Sequence, residues 1–442
     1  MKRAPFGLSG ILLLAAAAAA QTHTAPPRLE RLDTGQAGAR MSLQPLPIFQ
    51  PAPELRPWRG MAVDADAQFA QSECGQSLPK AVGTNGQVLP FASPASAANT
   101  EVSLMKAFHD CFDIGAAIPG ATLTAAEVEL LRANFTTVTP ENCMKPGPVH
   151  PEEDRFNFAP ADALVELART NGLTVNGHTL IWHQQCPAWF FRDGDRPASR
   201  ERVLQRMRAH IAAVAGHFAG QVKSWDVVNE ALDDGEAYLR PTPWLAHIGE
   251  DFIAEAFFAA RKADPGAELY YNDYNLERPA KRAKALRLIR DLQQRGAPIQ
   301  GIGIQGHWQI DRIPFDDLEA AILAFHAQGL QVMITELDID VVGRQASGAD
   351  LQQREQSADP YADGLPAEVQ QRLADQYARL FALLLRHRDK ISRVSFWGLH
   401  DGRSWLNRWP CRRTNHPLLW DRALQPKPAL FAVLALRSRE QP

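Results

Sequence analysis

The sequence predicts an α/β chain folded as a (β/α)8 TIM barrel with a Pro-rich N-terminal extension. Three observations lead there. From about residue 102, eight short β-type runs alternate with amphipathic helical stretches, the pattern of parallel strands joined by helices. Nearly every run ends in polar or aromatic residues, and such barrels build their sites at the carboxyl ends of the strands. No Gly-rich phosphate loop follows the first run, which separates the barrel from a doubly wound open sheet.

The runs are Phe112-Asp-Ile-Gly-Ala-Ala, Thr136-Thr-Val-Thr, Leu173-Thr-Val-Asn-Gly-His and Ser224-Trp-Asp-Val-Val. They continue with Glu268-Leu-Tyr-Tyr-Asn, Ile302-Gly-Ile-Gln-Gly-His, Gln331-Val-Met-Ile-Thr and Arg393-Val-Ser-Phe-Trp-Gly. Helical periodicity marks Ala161–Arg169, Val203–Phe218, Asp251–Ala263 and Leu318–Gln328 between them. The strand ends carry Glu141 with Asn142, His178, Asn229 with Glu230, Asn272 with Asp273, Gln305 with His307, Glu336 with Asp338, and Trp397.

The 442 residues suit one barrel with additions, and 45% hydrophobic with 22% charged residues is a globular composition. A net charge of −3 favours neither nucleic acid nor an acidic membrane surface, so neither is expected as a partner. Residues 1–20 read as a signal peptide. Lys2 and Arg3 precede an apolar run from Gly10 to Ala20 that is too short to span a membrane. A secreted or periplasmic location follows as an expectation. Residues 21–100 hold ten prolines and no chemical motif, and are expected to be a linker or irregular arm dispensable for catalysis. The catalytic barrel is expected over 101–438.

Export permits disulfides, and the five cysteines are Cys74, Cys111, Cys143, Cys186 and Cys411. Cys143 and Cys186 follow neighbouring strands and are expected to be close enough for a bridge, with Cys411 as a competing partner. His178 and His183 do not share a strand face and have no acidic partner in metal-ligand spacing, so no metal is expected.

Glu230 and Glu336 end the fourth and seventh runs, 106 positions apart, and a closed barrel brings such ends to one mouth. Cleaving a glycosidic bond needs one carboxylic acid to protonate the leaving oxygen and a second carboxylate to attack the sugar or activate water. Two solvated carboxylates in separate salt bridges are the plainer alternative. Asn229 is positioned to hold a sugar hydroxyl. His307 is expected to hydrogen-bond Glu336, with Asp338 behind it fixing the tautomer. Asp226 is expected to support the site from below. Trp182, Trp397 and Trp405 are expected as apolar platforms for sugar rings rather than core.

The segments Thr139-Pro-Glu-Asn-Cys-Met-Lys145, Gly177-His-Thr-Leu-Ile-Trp-His183 and Trp225-Asp-Val-Val-Asn-Glu230 resemble those of family 10 glycoside hydrolases. So do Tyr271-Asn-Asp-Tyr-Asn275, Gly301-Ile-Gly-Ile-Gln-Gly-His307, Ile334-Thr-Glu-Leu-Asp338 and Trp397-Gly-Leu-His-Asp-Gly-Arg-Ser-Trp405, with Pro417-Leu-Leu and Gln425-Pro-Lys-Pro beyond them. The resemblance runs in order over about residues 102–437. It implies an endo-1,4-β-xylanase acting with retention on xylan or xylo-oligosaccharides, without a cofactor and as a monomer. Motif by motif it implies Glu230 as acid/base and Glu336 as nucleophile. Glu141, Asn142, Lys145, His178, Trp182, Gln185, Asn229, Gln305, His307, Trp397 and Trp405 match positions that bind sugars or orient the carboxylates, and Tyr274 lies in the fifth-strand motif at the cleft. Pro146, Gln184, Cys143 and Cys186 depart from the family pattern. Another retaining β-1,4-glycanase, a cellulase or mannanase, would carry the same pair, and a non-catalytic carbohydrate-binding protein would have lost one of them.

Overall fold

The computed structural model of the chain describes residues 103–344 and 359–438. The expected signal peptide, the Pro-rich extension and Cys74 lie outside the described residues. Eight parallel strands form the barrel: β1 (Asp113–Ile118), β2 (Thr137–Pro140), β3 (Thr174–Ile181), β4 (Ser224–Asn229), β5 (Glu268–Asp273), β6 (Gly301–Ile304), β7 (Gln331–Asp340) and β8 (Ile391–Phe396). Each pairs with the next, and β8 returns to β1 in the register Asp113↔Arg393 to Ala116↔Phe396, which closes the sheet. A long helix follows each strand: α1 (Ala125–Asn134), α2 (Ala159–Thr170), α3 (Arg200–His217), α4 (Phe252–Ala263), α5 (Pro279–Gln294), α6 (Phe315–His326), α7 (Ala367–Arg386) and α8 (Pro428–Ser438). The barrel expected from the alternation of runs is the fold.

Local chemistry sets the boundaries. α1 starts at Thr124, whose hydroxyl accepts from the Glu127 amide (3.2 Å) while Glu127 accepts from the Thr124 amide (2.8 Å). Two orphan donors of the first turn are thereby satisfied. The same carboxylate accepts from Arg403 (2.7 Å) and contacts His400 (3.0 Å), tying α1 to the loop after β8. The Arg403 hydrogen bond holds Glu127 well below the usual carboxylate range. Pro279 and Pro428 start α5 and α8, where a missing N–H costs nothing.

The core lies between the barrel and its helices. Phe396 on β8 faces Phe381 of α7 (6.1 Å between rings) and Phe135 (6.5 Å), and Trp225 on β4 meets Phe218 (6.3 Å). Alternation then turns Arg393, Ser395, Ser224, Asp226, Asn176 and His178 to the inside of the barrel. One expected run is broken. Ile302–His307 is not a single strand: β6 stops at Ile304, Gly306 takes φ +85°, and His307–Gln309 forms a separate segment pairing with the extended end of β7. The break follows from hydrogen bonding, because the Gln305 and Gly306 carbonyls accept from the Glu336 and Asp338 amides (2.7 and 3.3 Å).

The expected Cys143–Cys186 bridge is absent: both are thiols. Cys143 is packed into the core and Cys186 lies half-buried in the loop after β3. Burial pushes the Cys143 thiol up to about 11 and raises that of Cys186 as well, so each stays protonated in its own apolar setting.

Close packing of strand on strand gives a test. A Cβ at Gly177 would sit 2.2 Å from the Trp225 ring, which is fully buried. Gly177→Ala is expected to destabilise the protein by about 1–3 kcal/mol through overpacking, read as a lower unfolding midpoint. An unchanged midpoint would show that the Trp225 ring has room to move.

Candidate active site

β4 ends at Asn229, and Glu230 then adopts φ +57°, a left-handed conformation that costs a non-glycine residue about 1–3 kcal/mol. Neighbouring groups hold it there. The Glu230 amide donates to the Asn272 carbonyl (2.9 Å), and its own carbonyl accepts from Arg240 Nε (3.0 Å). The next two amides, Ala231 and Leu232, both donate to the Tyr271 hydroxyl (3.0 Å each). Tyr271 in turn donates to Asp273 (2.6 Å), which is paired with buried Lys281 (2.9 Å).

This turn aims the Glu230 side chain into the mouth, where it is 2% exposed. Oε2 accepts from Trp182 Nε1 (2.8 Å), and Oε1 from Gln305 Nε2 (3.0 Å) and Asn229 Nδ2 (3.2 Å). All three donors are neutral. Burial, then the charges of Asp273 and Glu336, push the Glu230 carboxyl up to about 7 against these hydrogen bonds.

Glu336 has different company. Its Oε2 contacts His307 Nε2 (3.0 Å), and His307 Nδ1 contacts Asp338 (3.0 Å). Burial works against a charge on His307, but Asp338 and Glu336 on either side raise it to about 9, so the ring is an imidazolium donating both protons. Burial also opposes a charge on Glu336. The hydrogen bond and the charge of His307 outweigh it and hold the carboxyl below its ordinary value. Trp405 Nε1 donates to the other Asp338 oxygen (2.7 Å), which orients the second carboxylate.

Asn272 joins the two glutamates. Its Nδ2 donates to Glu336 Oε1 (2.8 Å) and to Asn229 Oδ1 (2.9 Å), and Asn229 reaches Glu230. Its Oδ1 accepts from Thr335 (2.6 Å), which fixes the direction of the amide. The sequence had marked Asn272 only as a strand end. Arg240 was not anticipated: it lies in a loop with no motif, yet it touches the Glu230 carbonyl and the Tyr274 hydroxyl (2.6 Å).

The remaining expected residues fall around this pair. Lys145 is buried, donates to Asn142 (3.1 Å) and stands 4.8 Å from the Trp182 ring centre. Burial lowers its proton affinity, opposed by Glu141, Glu336 and Glu230. Glu141 is raised by burial against the pull of Lys145 and Arg408. His178 contacts Asp226 through Nδ1 (2.9 Å) and meets the Trp397 ring edge-on at 5.3 Å. Tyr274 is buried between Arg240 and Lys281. Gln185 is exposed at φ +47°, while its neighbour Gln184 is buried. The tryptophans require a correction. Trp182 and Trp397 are 3% and 7% exposed, and the indole N–H groups of Trp182 and Trp405 are committed to carboxylates. Trp182 and Trp397 are thus buried at the mouth, while Trp405, stacked on Trp409 (4.6 Å), keeps a partly exposed ring. His183 is neutral, since burial and then the charges of Arg240 and Lys281 lower it to about 3. Among the described residues, no three His, Cys, Asp or Glu side chains gather as metal ligands.

Two buried carboxyls of opposite protonation at one barrel mouth can give a proton at one position and a nucleophile at another. Comparison with known proteins identifies the family. The model of glycosyl hydrolase family 10 matches residues 103–436. An endo-1,4-β-xylanase B of Paenibacillus barcinonensis is 40% identical over 340 residues, covering 76% of this chain and 99% of that protein. A β-1,4-xylanase of Dictyoglomus thermophilum is 40% identical over 334 residues, covering 75% and 90%. The solved structure of an endoxylanase from a sugarcane soil metagenome superposes with a TM-score of 0.73 at 39% identity, covering 75% of this chain and 99% of that one. With the family model spanning the whole barrel and relatives of this identity matched almost end to end, the chain belongs to glycosyl hydrolase family 10.

Proposed function

We propose that this chain is an endo-1,4-β-xylanase that hydrolyses internal β-1,4-xylosidic bonds of xylan with retention, Glu230 being the acid/base and Glu336 the nucleophile. The observation that carries the reading is the unequal surroundings of the two carboxyls: neutral donors and an anionic neighbour for Glu230, an imidazolium for Glu336. In the first step Glu230 protonates the leaving glycosidic oxygen while Glu336 attacks the anomeric carbon, and the bond to the leaving chain breaks. The loss of the Glu336 charge then lowers the proton affinity of Glu230. In the second step Glu230 takes a proton from water, the water oxygen attacks the same carbon, and Glu336 leaves. Two inversions preserve the β configuration.

The reading gives Glu141, Asn142, Lys145, His178, Trp182, Gln185, Asn229, Tyr274, Gln305, His307, Trp397 and Trp405 to substrate binding and orientation, with Asp226 and Asp338 behind the histidines. Xylose lacks a hydroxymethyl group, and in this reading Trp397 or Trp405 closes over that position. Xylan is favoured over glucan and mannan by the names of the relatives. Incubation with purified xylan, glucan and mannan, followed by product sizing, is expected to give xylo-oligosaccharides only; faster cleavage of glucan or mannan would reassign the substrate.

The reading extends to a secreted or periplasmic monomer. Lys2, Arg3 and the apolar run to Ala20 support export. No described helix is long and apolar enough to cross a membrane. The exposed large apolar side chains among the described residues, Phe258, Leu323 and Phe431, stand singly on α4, α6 and α8, which supports a single chain.

Retention is checked by proton NMR of the earliest products, where the β anomer is expected before mutarotation; the α anomer appearing first would overturn the role of Glu336. Glu230→Ala with an activated aryl leaving group is expected to keep glycosylation but not turnover, and azide is expected to restore turnover as a β-glycosyl azide. Glu336→Ala is expected to show no such rescue.

The pH profile follows from the same two groups. The first step requires protonated Glu230 and ionised Glu336. kcat/KM is therefore expected to fall above about pH 7 as Glu230 loses its proton, and at acid pH below the ordinary glutamate range as Glu336 gains one. Glu336→Gln removes the neighbouring charge, so the Glu230 carboxyl is expected to titrate lower in a carbon-13 NMR titration. An unmoved Glu230 would show that burial and Asp273 alone set its proton affinity.

A further inference from the structure

Behind His178 and Asp226, the inside of the barrel holds three polar side chains that the reaction above does not use: Arg393, Ser224 and Asn176. Arg393 on β8 is 4% exposed and donates from Nη1 to Ser224 Oγ (3.0 Å) on β4. Ser224 donates to Asn176 Oδ1 on β3 (2.6 Å). Asn176 Nδ2 donates to Asp226 Oδ2 (3.1 Å), which also takes His178 Nδ1 (2.9 Å). All five are buried, so no bulk water competes.

The order of donors along this chain is not arbitrary. A guanidinium has five donors and no acceptor, and it does not lose its proton in a protein. Ser224 must therefore accept from Arg393 and spend its own hydrogen on the Asn176 carbonyl oxygen. That leaves the Asn176 amine facing Asp226, which stays an acceptor. His178 then has to carry its proton on Nδ1, and Nε2 is left as an acceptor bonded to no described residue. We propose that Arg393 is a positioning residue for the xylanase reaction: through Ser224, Asn176 and Asp226 it fixes the tautomer of His178 that faces the sugar.

Other charges face this chain. His178 sees Glu141 and Glu336 across the mouth. Arg393 sees Tyr270, whose hydroxyl is bonded to Glu268, and shares its register with Asp113, which is tied to Lys223. None of these groups replaces the donor that Ser224 receives.

The proposal rests on the xylanase reading for its kinetic arm, and nitrogen-15 NMR of the histidine rings in the full chain tests it without activity. In the wild type the His178 ring is expected to be protonated on Nδ1 and bare on Nε2 at neutral pH. Arg393→Met removes charge and donor together. It is expected to mix the two tautomers and lower kcat/KM on xylan about tenfold, well short of the ~10⁴-fold seen when a triad's orienting carboxylate is lost. Arg393→Lys keeps a cation and is expected to retain most of each property. Ser224→Ala cuts the chain of hydrogen bonds without removing the cation, so it too is expected to mix the tautomers. It also decides the matter if Arg393→Met does not fold. Ser395→Ala, at an inward hydroxyl outside the chain, is expected to change neither the tautomers nor kcat/KM. Unaltered His178 nitrogen shifts in Ser224→Ala, or a wild-type His178 protonated on Nε2 alone, would overturn the proposal. Unaltered shifts with no xylan cleavage would sink both readings, whereas mixed tautomers with no xylan cleavage would sink only the xylanase reading.

Discussion

The amine of Asn272 reaches Glu336 and Asn229 at once, and the two halves of the mouth depend on it. An amide can present either its oxygen or its nitrogen, and the wrong face here would set an oxygen against the Glu336 carboxylate. Thr335 prevents this by donating to Asn272 Oδ1. The space for that contact is supplied by Gly303, where a Cβ would lie 2.5 Å from Asn272 Oδ1 and 2.6 Å from the Thr335 methyl. Asn272 and Gly303 are register partners across β5 and β6. A slip of one residue would turn Asn272 to the outside of the barrel. Strand register therefore fixes a hydrogen bond, and the hydrogen bond fixes the relation of two carboxyls.

That relation matters because the carboxyls are crowded. Glu141, Asp226, Glu230, Asp273, Glu336 and Asp338 are gathered around one mouth, in a setting where like charges repel strongly. Cations are present but unevenly placed. His307 lies directly on Glu336, while Lys281 and Arg240 serve Asp273 and the Glu230 backbone rather than the Glu230 carboxylate. Glu230 thus keeps a proton that Glu336 gives up. The difference in role comes from who stands beside each carboxyl, since the two side chains are chemically the same.

Much of this was legible in the sequence, and the reasons are specific. Strand ends are recognisable because a run of β-type residues stops abruptly at a polar group, and the barrel then gathers those ends. His307 and Asp338 could be paired with Glu336 because neighbouring strands place their ends side by side. Asn272 was less legible, since an asparagine at a strand end has the same appearance whether it caps a turn or bridges two glutamates. Arg240 was invisible: a loop arginine has no periodicity, and its contact depends on the path of the chain after Glu230. The exposure of tryptophan was misjudged for a related reason. A ring that stacks on a sugar and a ring that donates an indole hydrogen to a carboxylate occupy the same strand-end position in sequence. The orientation of Gln184 and Gln185 depends on a positive φ at Gln185, which no residue type announces.

The mouth and interior of the barrel carry features that a stability optimum would remove. Glu230 is held at positive φ, and Asp226 Oδ1, Gln305 Oε1, and Arg393 Nε and Nη2 are buried without a hydrogen-bond partner among the described residues. Each such group costs free energy relative to its solvated state. The offset comes from another layer. Phe108, Phe381 and Phe396 pack together outside the strands, as do Phe135 and Trp420, and none of them touches the mouth. The alternation of a β-strand is what permits this division, since successive side chains face opposite sides. Along β8, Val394 and Phe396 turn to the helices and hold the fold, while Arg393, Ser395 and Trp397 turn inward toward the chemistry. A substitution on the outer set should thus show first in stability, and one at Arg393 or Trp397 first in activity.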